Sequence, residues 1–494
     1  MKHILLPLFL LVFASIPARS QVRHDLTLEQ SITMALHTGF AASDVKARYE
    51  TAWKNAESAR RQLWTSVGLT VNAPNLQESL SQQFNPLTGR YQYYQLKQNN
   101  MQSYLTITQP LVFTGGTLRF SQGLLSRNQV SGLTGQTQQW NDYFSNFFVE
   151  YTQPLLTPNL SAITQTSNEI ALAQAETDFL ANQMDLIFNV TESFYTVYQL
   201  SRRVEIVGEQ VAQNEESYAT AKGKYDAGLI PEVEVLQSEV DLAGSKNESL
   251  NTQRELARAK NAFRLLLGIP TEEEVATVGE IVYRPMMLDS AVAVESALKN
   301  RPEVLSADRQ VILAEGEIGV AKSRNHFRMD MTARYGLDRN DTLFHDLFHD
   351  LNRSRSASLT ISVPLFDWGS NSLGVEAAEA RHQNSVAAAD YTRQRVRQDV
   401  LDLLNRIQVA ESRIQVLEKT VAVAQKGYEI SLQRFRNGSI TRNDLTLAQQ
   451  RLTAARSNNL NALVDYQLGQ ADLKRRTLWD FEKNAMVEPV MNLE

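Results

Sequence analysis

Apolar residues recur at alternating three- and four-residue intervals in two long stretches of the chain. A 3.5-residue period sustained over about five heptads is typical of a helix that supercoils left-handed against a neighbour. The later stretch contains Val400, Leu403, Ile407, Ala410, Ile414, Leu417, Val421, Ala424, Tyr428 and Phe435. The earlier one, 210 residues before it, contains Val190, Val197, Leu200, Val204, Val207, Val211, Tyr218, Ala221 and Tyr225. The pattern predicts two long helices with the same packing seam.

The two helices are predicted over about 162–223 and about 371–437, and the first stretch contains no proline. At 1.5 Å per residue, each would be roughly 90 Å long. Helices of that length do not wrap a compact core, so we expect them to lie side by side as a bundle or tube. A long dimeric coiled coil is the alternative, and the seam alone does not separate the two.

Strict alternation of apolar and polar residues marks the segments around 329–335 and 359–365. One apolar and one polar face is typical of a membrane-barrel strand and also of a soluble sandwich. Their place between such long helices favours the barrel. Phe147, Val149 and Tyr151 are the counterparts in the first half, and a third copy covers 104–111.

The sequence predicts that the chain contains an internal duplication. Leu26 and Leu36 match Leu288 and Leu298 at an offset of 262, but later matches lie 210 apart, so the first half holds 52 additional residues. We interpret these residues as an extra hairpin. The predicted organisation is a signal peptide (1–20), a first repeat (21–270, strands near 66–156), a linker (271–287), a second repeat (288–482, strands near 328–366) and a tail (483–494).

The N-terminal residues predict that the protein is exported from the cytoplasm. Lys2, an apolar run over 4–16 and the Ala18-Arg19-Ser20 end are typical of a signal peptide cleaved before Gln21. A membrane anchor is the alternative, but a spanning helix needs roughly 20 apolar residues. No later segment has 18 consecutive apolar residues, so we expect membrane entry, if any, as strands.

Charge and cysteine content narrow the function classes. The chain carries a formal charge of −6, and loss of Lys2 and Arg19 leaves 47 basic and 55 acidic residues, a charge of −8. Nothing in this balance favours a nucleic-acid partner. The absence of cysteine excludes disulfides, thiolate metal sites and a lipid anchor on an N-terminal cysteine.

Four to six strands do not close a membrane barrel, because such barrels begin at about eight strands. Open sheet edges are not tolerated in lipid, so several chains would have to close one barrel together. The sequence therefore predicts a homo-oligomer.

With these features the chain resembles the TolC family of outer-membrane efflux proteins. The resemblance rests on the 26–36 opening, the strand ends at Pro154 and Pro364, the glycine turns at 225–230 and 435–440, and the 264–268 end of the first repeat. It implies an α+β membrane protein, in which a long periplasmic α-helical barrel continues into a trimeric outer-membrane β-barrel. In that picture each chain of a homotrimer supplies four strands to a shared barrel of twelve.

The resemblance also implies partners and function. Family members dock onto a periplasmic adaptor (a membrane fusion protein) and an inner-membrane RND, ABC or MFS transporter, and pass cargo across the outer-membrane lipid without chemistry. We therefore expect a non-enzymatic efflux duct for small toxic molecules in the outer membrane of a Gram-negative bacterium, with no cofactor. A duct for type I protein secretion is one alternative. A periplasmic coiled-coil scaffold, which osmotic shock would release, is another.

Candidate site residues lie at and just after the two glycine turns. We expect the adaptor-docking tips to include Gly228, Ile230, Pro231, Glu232, Arg436, Gly438 and Ile440. A helix C-terminal cap also explains the glycines, and the first turn of the next helix explains the proline.

By position in the family, Asp444 matches an aperture carboxylate, and Glu234 is its partner in the first repeat. The family's second carboxylate position is Leu447 here. A ring of Asp444 from three chains would favour cations. Alternatively, Asp444 and Glu232 stabilise helix N-termini. The sequence leaves both interpretations open.

His345 and His349 stand four residues apart beside Asp346 and Asp350, between the two strands of the second half. That spacing chelates zinc or copper when the segment is helical. We expect a solvated amphipathic turn at an outward-facing loop and assign no metal site, with metal binding as the alternative. No nucleophile elbow, P-loop or dinucleotide glycine motif occurs, and we expect no enzyme.

Overall fold

The computed structural model describes residues 23–86, 88–131, 138–325, 328–488 and 490. The predicted signal peptide lies outside these residues. The chain divides into two compact units. The first unit comprises residues up to 46, 180–297 and 398 onward, and the second comprises 47–179 and 298–397.

Eight α-helices are found in the described residues, and four of them are long. Their bounds are α1 Leu28–Thr38, α2 Phe40–Arg61, α3 Leu160–Asp226, α4 Glu232–Leu267, α5 Ser290–Asn300, α6 Pro302–Asn325, α7 Ser370–Arg436 and α8 Arg442–Thr477. Both α3 and α7 contain 67 residues, and both α4 and α8 contain 36. Each pair starts and ends 210 residues apart, which is the spacing of the sequence matches.

The predicted apolar seam is the buried face of both long helices. Val190 and Val197 of α3, and Val400, Ile407 and Ile414 of α7, are at most 2% exposed. The seam is therefore confirmed at these positions, whereas Tyr225, its last predicted member on α3, is 42% exposed. Among the described helices, none combines the length and the apolar character needed to cross a bilayer.

Two pairs of short strands, one parallel and one antiparallel, belong to the first unit, and six long strands form one sheet in the second. The strands are β1 Arg23–Leu26, β2 Ser66–Asn85, β3 Arg90–Leu111, β4 Gly116–Ser131, β5 Gln138–Leu155, β6 Glu274–Thr277, β7 Arg328–Asp341, β8 Asn352–Ser362, β9 Trp479–Asp480 and β10 Ala485–Met486. The large sheet is antiparallel throughout and has the order β2-β3-β4-β5-β7-β8.

The sheet has six strands where the resemblance implies four. Strand β2 begins 262 residues before β7, so the additional residues of the first half supply β3 and β4. Both strands hydrogen-bond into the sheet along their length, between β2 and β5. The extra hairpin is therefore part of the sheet.

Apolar and polar residues separate onto the two faces of this sheet, including its inserted hairpin. One row of paired positions is apolar across five strands, at Val67, Ile107, Phe120, Val149 and Tyr335, and ends in Arg355 on β8. The adjacent row points to the other face and is polar, and it consists of Ser66, Thr108, Arg119, Glu150, Arg334 and Ser356. The inserted hairpin thus places its apolar and polar residues on the same faces as the neighbouring strands do.

Strand β8 ends at Ser362, three residues before the end of the alternating pattern. Proline has no N–H to donate to a ladder, so Pro364 explains the early end. Leu365, the last apolar residue of the pattern, is 91% exposed. The predicted strand is therefore too long at its C-terminal end.

The predicted linker is held against the helices of the first unit. Strands β1 and β6 pair in parallel. The Tyr283 hydroxyl donates to a Glu411 carboxylate oxygen at 2.6 Å, and burial together with that carboxylate raises the pKa of Tyr283 to about 12. The Tyr466 hydroxyl donates to the Arg284 carbonyl at 2.9 Å. These contacts fix the path of the segment that joins the two halves.

Candidate functional site: the two helix-hairpin tips

The predicted docking and aperture residues lie at two hairpin tips of the first unit. The first tip, residues 225–234, joins α3 to α4, and the second tip, residues 435–444, joins α7 to α8. In both tips a glycine ends the incoming helix in the left-handed conformation, with φ of 69° at Gly228 and 71° at Gly438. A side chain is strained in that region, which explains the residue type.

The same two backbone hydrogen bonds close both turns. In the first tip, the Gly228 N–H donates to the Tyr225 carbonyl and the Leu229 N–H to the Lys224 carbonyl, both at 2.8 Å. In the second, Gly438 donates to Phe435 at 3.0 Å and Ser439 to Arg434 at 2.8 Å. This is the Schellman arrangement, which satisfies the last carbonyls of a helix. The two tips therefore share one backbone design.

The outgoing helices begin differently. Thr441 caps α8: its hydroxyl accepts from the Asp444 N–H at 3.3 Å, and the Asp444 carboxylate accepts from the Thr441 N–H at 3.1 Å. Pro231 occupies the same position before α4 and makes no side-chain cap bond. Pro231 was predicted in the first helical turn, but it lies one residue earlier, at the N-cap, because its ψ of 154° is extended.

Asp444 stabilises the N-terminus of α8, as one of its two interpretations held, and it does so through a capping box with Thr441. Besides the backbone bond, its carboxylate accepts a 2.7 Å hydrogen bond from the Thr441 hydroxyl. Hydrogen bonding from Thr441 holds the pKa of Asp444 below its usual value of 3.8. The carboxylate is exposed and ionised at neutral pH, so capping leaves it available as a fixed negative charge. Glu234 lies in the first turn of α4 and is half-buried.

The tips present different surfaces to solvent. Leu229 is 73% exposed, and the corresponding residue of the second tip is Ser439. The apolar surface continues along α4 through Val233 and Leu236, which are 54% and 52% exposed. The first tip is thus the more apolar of the two.

A small apolar cluster and two ion pairs hold the second tip in place. The cluster consists of buried Tyr428, Phe435, Leu445 and Leu452, with Ile440 packed against it. Arg436 forms an ion pair with Glu216 of α3. Arg442 pairs with Asp241 of α4, and its other guanidinium nitrogen donates to Gln237 at 3.1 Å. The side chain of Arg442 is only 11% exposed.

Lys224 links the end of one hairpin to the end of the other. Its ammonium donates to the Phe435 carbonyl at 2.8 Å and lies 4.3 Å from the centre of the Phe435 ring. Lys224, Asp241 and Arg442 were missed by sequence reasoning. The partners are 201 residues apart or more, so no local spacing signals them.

An exposed apolar stripe with heptad spacing runs along α7, away from the buried seam. It consists of Val409, Val416, Val423 and Ile430, which are 51%, 64%, 73% and 44% exposed. A stripe that repeats every seven residues is suited to packing against another helix. The described residues of this chain cover the stripe only in part.

His345, Asp346 and His349 lie together on the loop between β7 and β8, in the second unit. They are separate from both hairpin tips in the sequence and take no part in the tip contacts described above. The loop contains a 3₁₀ helix, Phe344–Phe348, with both histidines exposed and Leu347 buried, which agrees with the expected solvated amphipathic turn.

Comparison with known proteins identifies similar chains. A family model described as outer membrane efflux protein matches residues 125–269 and 293–477. The chain is 26% identical over 302 residues to the probable outer membrane lipoprotein SilC of Salmonella typhimurium, a match that covers 58% of this chain and 62% of that protein. It is 23% identical over 293 residues to the cation efflux system protein CusC of Escherichia coli K12, covering 58% and 63%.

Solved structures show the same fold. The outer membrane protein VceC from Vibrio cholerae superposes with a TM-score of 0.66 at 18% identity, covering 91% of this chain and 95% of that one. The sequence matches are shorter, since the chain spans just over 60% of the length of SilC and of CusC.

Proposed function

Because the chain belongs to the outer membrane efflux protein family, we propose that it is the outer-membrane duct of a tripartite efflux system. It receives small toxic molecules from an inner-membrane pump through a periplasmic adaptor and releases them outside the cell. The observation that carries the proposal is the six-stranded sheet with one mainly apolar and one mainly polar face, in a chain whose helices reach 67 residues. Lipid on one face and water on the other account for that division.

Assembly follows from surfaces that one chain leaves open. Strands β2 and β8 are the edges of the sheet, and each has a neighbour on one side only. Lipid does not satisfy free backbone groups, so the edges must pair with other copies. Three copies of the six-stranded sheet would close a barrel of 18 strands, wider than the barrel of twelve that four strands per chain would form.

The heptad stripe of α7 supports the same homotrimer. Val416 and Val423 are 64% and 73% exposed, and a neighbouring copy would cover them in a helical barrel. Burying four such side chains would contribute several kcal/mol per interface at about 25 cal/mol per Å². The duplication adds a second reason, because two similar hairpins per chain let three chains form a ring of six similar units.

The first tip is the proposed adaptor-docking surface. Leu229, Ile230 and Val233 combine apolar surface with a turn that two hydrogen bonds close. A closed turn loses little conformational entropy on binding. Glu232 and Arg436 would set the charge pattern at the two tips. In the proposed trimer, Asp444 from three chains forms the acidic ring of the aperture, and Glu234 is its counterpart in the first repeat.

The proposal is tested in a deletion strain. The strain and its parent are compared for susceptibility to dyes, detergents, bile salts, antibiotics and metal salts, and the wild-type chain is restored from a plasmid. We expect sensitivity to chemically unrelated compounds and recovery on complementation. Unchanged susceptibility throughout would contradict general efflux. Loss of an exported protein instead would identify the duct of a secretion system, and release by osmotic shock would identify a periplasmic scaffold.

A further inference from the structure

The loop between β7 and β8 brings three metal-binding side chains together. His345, Asp346 and His349 each offer one ligand atom, and these three atoms all lie within 4.8 Å of one another. The two imidazole rings are 5.1 Å apart between centroids and tilted by 48°. From this arrangement we propose that the loop binds one divalent transition-metal ion, of the class of Zn²⁺, Cu²⁺ or Ni²⁺.

The loop that carries these ligands is a folded element. Its 3₁₀ helix, Phe344–Phe348, inserts Leu347 into the second unit, where that side chain is 1% exposed. The Phe344 ring packs edge-on against Tyr143 of β5, with centroids 5.7 Å apart, and against Phe348 at 5.9 Å. Anchored ligands lose less conformational entropy on binding a metal than ligands on a free loop.

Hydrogen bonds fix both ends of the loop. At its start, the Asp341 carboxylate accepts from the Thr342 N–H at 2.8 Å and from the Leu343 N–H at 3.3 Å. At its end, a guanidinium nitrogen of Arg339 donates to the Asp350 carbonyl at 3.2 Å. The segment between these bonds contains all three ligands. Its backbone is therefore held in place without a metal.

One histidine makes a second hydrogen bond of the kind that metal-binding histidines make. The Nδ1 atom of His349 lies 3.3 Å from the carbonyl oxygen of His345. A carbonyl only accepts, so this bond requires the proton on Nδ1 and leaves the Nε2 lone pair free for a metal. Metal-ligating imidazoles in proteins usually make this second bond to a carbonyl or carboxylate, which fixes their tautomer and orientation.

The donor set selects the class of ion. Two imidazole nitrogens and one carboxylate oxygen suit Zn²⁺, Cu²⁺ and Ni²⁺, whereas Mg²⁺ and Ca²⁺ prefer oxygen ligands alone. Ligands around a tetrahedral zinc lie about 3.3 Å apart, given metal–nitrogen bonds of roughly 2.0 Å. Small side-chain rotations of the exposed histidines would close the gap from 4.8 Å.

The site would hold an exchangeable ion. Both histidines are exposed to solvent, and three protein ligands leave at least one coordination position to water. Binding at this loop is independent of the proposed duct function, because it requires only the contacts within the second unit.

The test uses the full chain, purified without a histidine tag and stripped of metal with a chelator. Isothermal titration with ZnCl₂ is expected to show one ion per chain. The double variant His345→Ala/His349→Ala is expected to weaken that binding by roughly tenfold or more, and Asp346→Asn by a smaller factor. Loaded with Cu²⁺, the wild type should show nitrogen hyperfine splitting from two imidazoles in its electron paramagnetic resonance spectrum.

His37→Ala is the matched control, because His37 is an exposed histidine on α1 of the other unit. It should leave both stoichiometry and affinity unchanged. Three results would overturn the proposal: no stoichiometric binding by the wild type, equal affinity in the double variant, or a Cu²⁺ spectrum without two-nitrogen splitting. Circular dichroism of each variant checks that the chain remains folded.

Discussion

The two hairpin tips share one turn and differ in what surrounds it. Gly228 and Gly438 adopt the same left-handed conformation and close the same pair of hydrogen bonds. The second tip adds the Thr441–Asp444 capping box and ion pairs to α3 and α4. The first tip has Pro231 at the cap position and an exposed Leu229.

This difference indicates that the two similar tips have different roles. The backbone requirement of a sharp helix–helix connection is met by glycine in both. The side chains around the turn are then free to differ, so the second tip is tied to its neighbours and the first presents apolar surface. In the proposed duct, the first would dock and the second would hold the aperture closed.

Breaking the ion pair of the second tip should have the largest effect. Arg442→Ala removes the partner of Asp241, whose side chain is 36% exposed, and a hydrogen bond to a charged group contributes about 2 kcal/mol. Amide hydrogen exchange in peptides covering 436–449 should accelerate by roughly 30-fold, since 1.4 kcal/mol corresponds to about tenfold. The control is Arg451→Ala, an exposed arginine on the same helix. Equal exchange in both variants would contradict the role of the pair.

Replacing the turn glycines should affect both tips alike. A left-handed conformation costs a residue with a Cβ about 1 to 2 kcal/mol. A Cβ added at either glycine would meet no other atom within 4 Å, so the backbone conformation is the whole of the expected cost. Gly228→Ala and Gly438→Ala should therefore speed exchange of their own turn amides by similar factors. A difference above about tenfold between the tips would show that the shared turn is not equally strained.

Removing the residue at the N-cap position should affect the two tips differently. Thr441→Ala deletes the hydroxyl that accepts from the Asp444 N–H, and loss of such a cap costs about 1 kcal/mol. Pro231→Ala deletes no cap bond, so its effect should be smaller. The measurement is the exchange rate of the first-turn amides of α8 and α4 in the two variants. A larger increase in exchange rate for Pro231→Ala than for Thr441→Ala would contradict the stronger capping of the second tip.

The smallest expected effect is that the local stability of the second tip depends on pH. The pKa of Asp444 is lowered in the folded chain, so its contribution is present above the ordinary aspartate pKa and is lost as the pH falls through the lowered value. Exchange of residues 441–445, corrected for intrinsic rates, should rise below about pH 4. Asp444→Asn retains Glu216 and Asp241 and should lack this component. The same pH profile in both proteins would exclude Asp444 as its source.

Periodicity allowed much of the helical structure to be predicted. The 3.5-residue seam identified the faces of α3 and α7 that the structure buries, because core packing follows apolar spacing directly. Gly228 and Gly438 signalled the turns for a backbone reason. The N-terminal role of Asp444 was also among the sequence interpretations, because its place in the first turn after Gly438 is a local feature, but the capping box with Thr441 was not predicted.

Other features depended on contacts that no local pattern encodes. The Arg442–Asp241 pair joins residues 201 positions apart. The alternation at 104–111 predicted a strand, but pairing partners decide whether a hairpin enters a sheet, and the register of β3 with β2 and β4 settled that. The anchoring of the His345 loop by Leu347 required the fold, because a single leucine in a loop carries no period.

The most direct test of the central claim is single-channel recording of the purified full chain in planar lipid bilayers. The account predicts uniform conductance steps with a preference for cations, and a larger conductance or a weaker cation preference for Asp444→Ala. Thr441→Ser, which retains the cap hydroxyl, is the control and should behave as the wild type. A trimer that inserts without conductance steps would contradict the duct, and wild-type conductance and selectivity in Asp444→Ala would contradict the aperture.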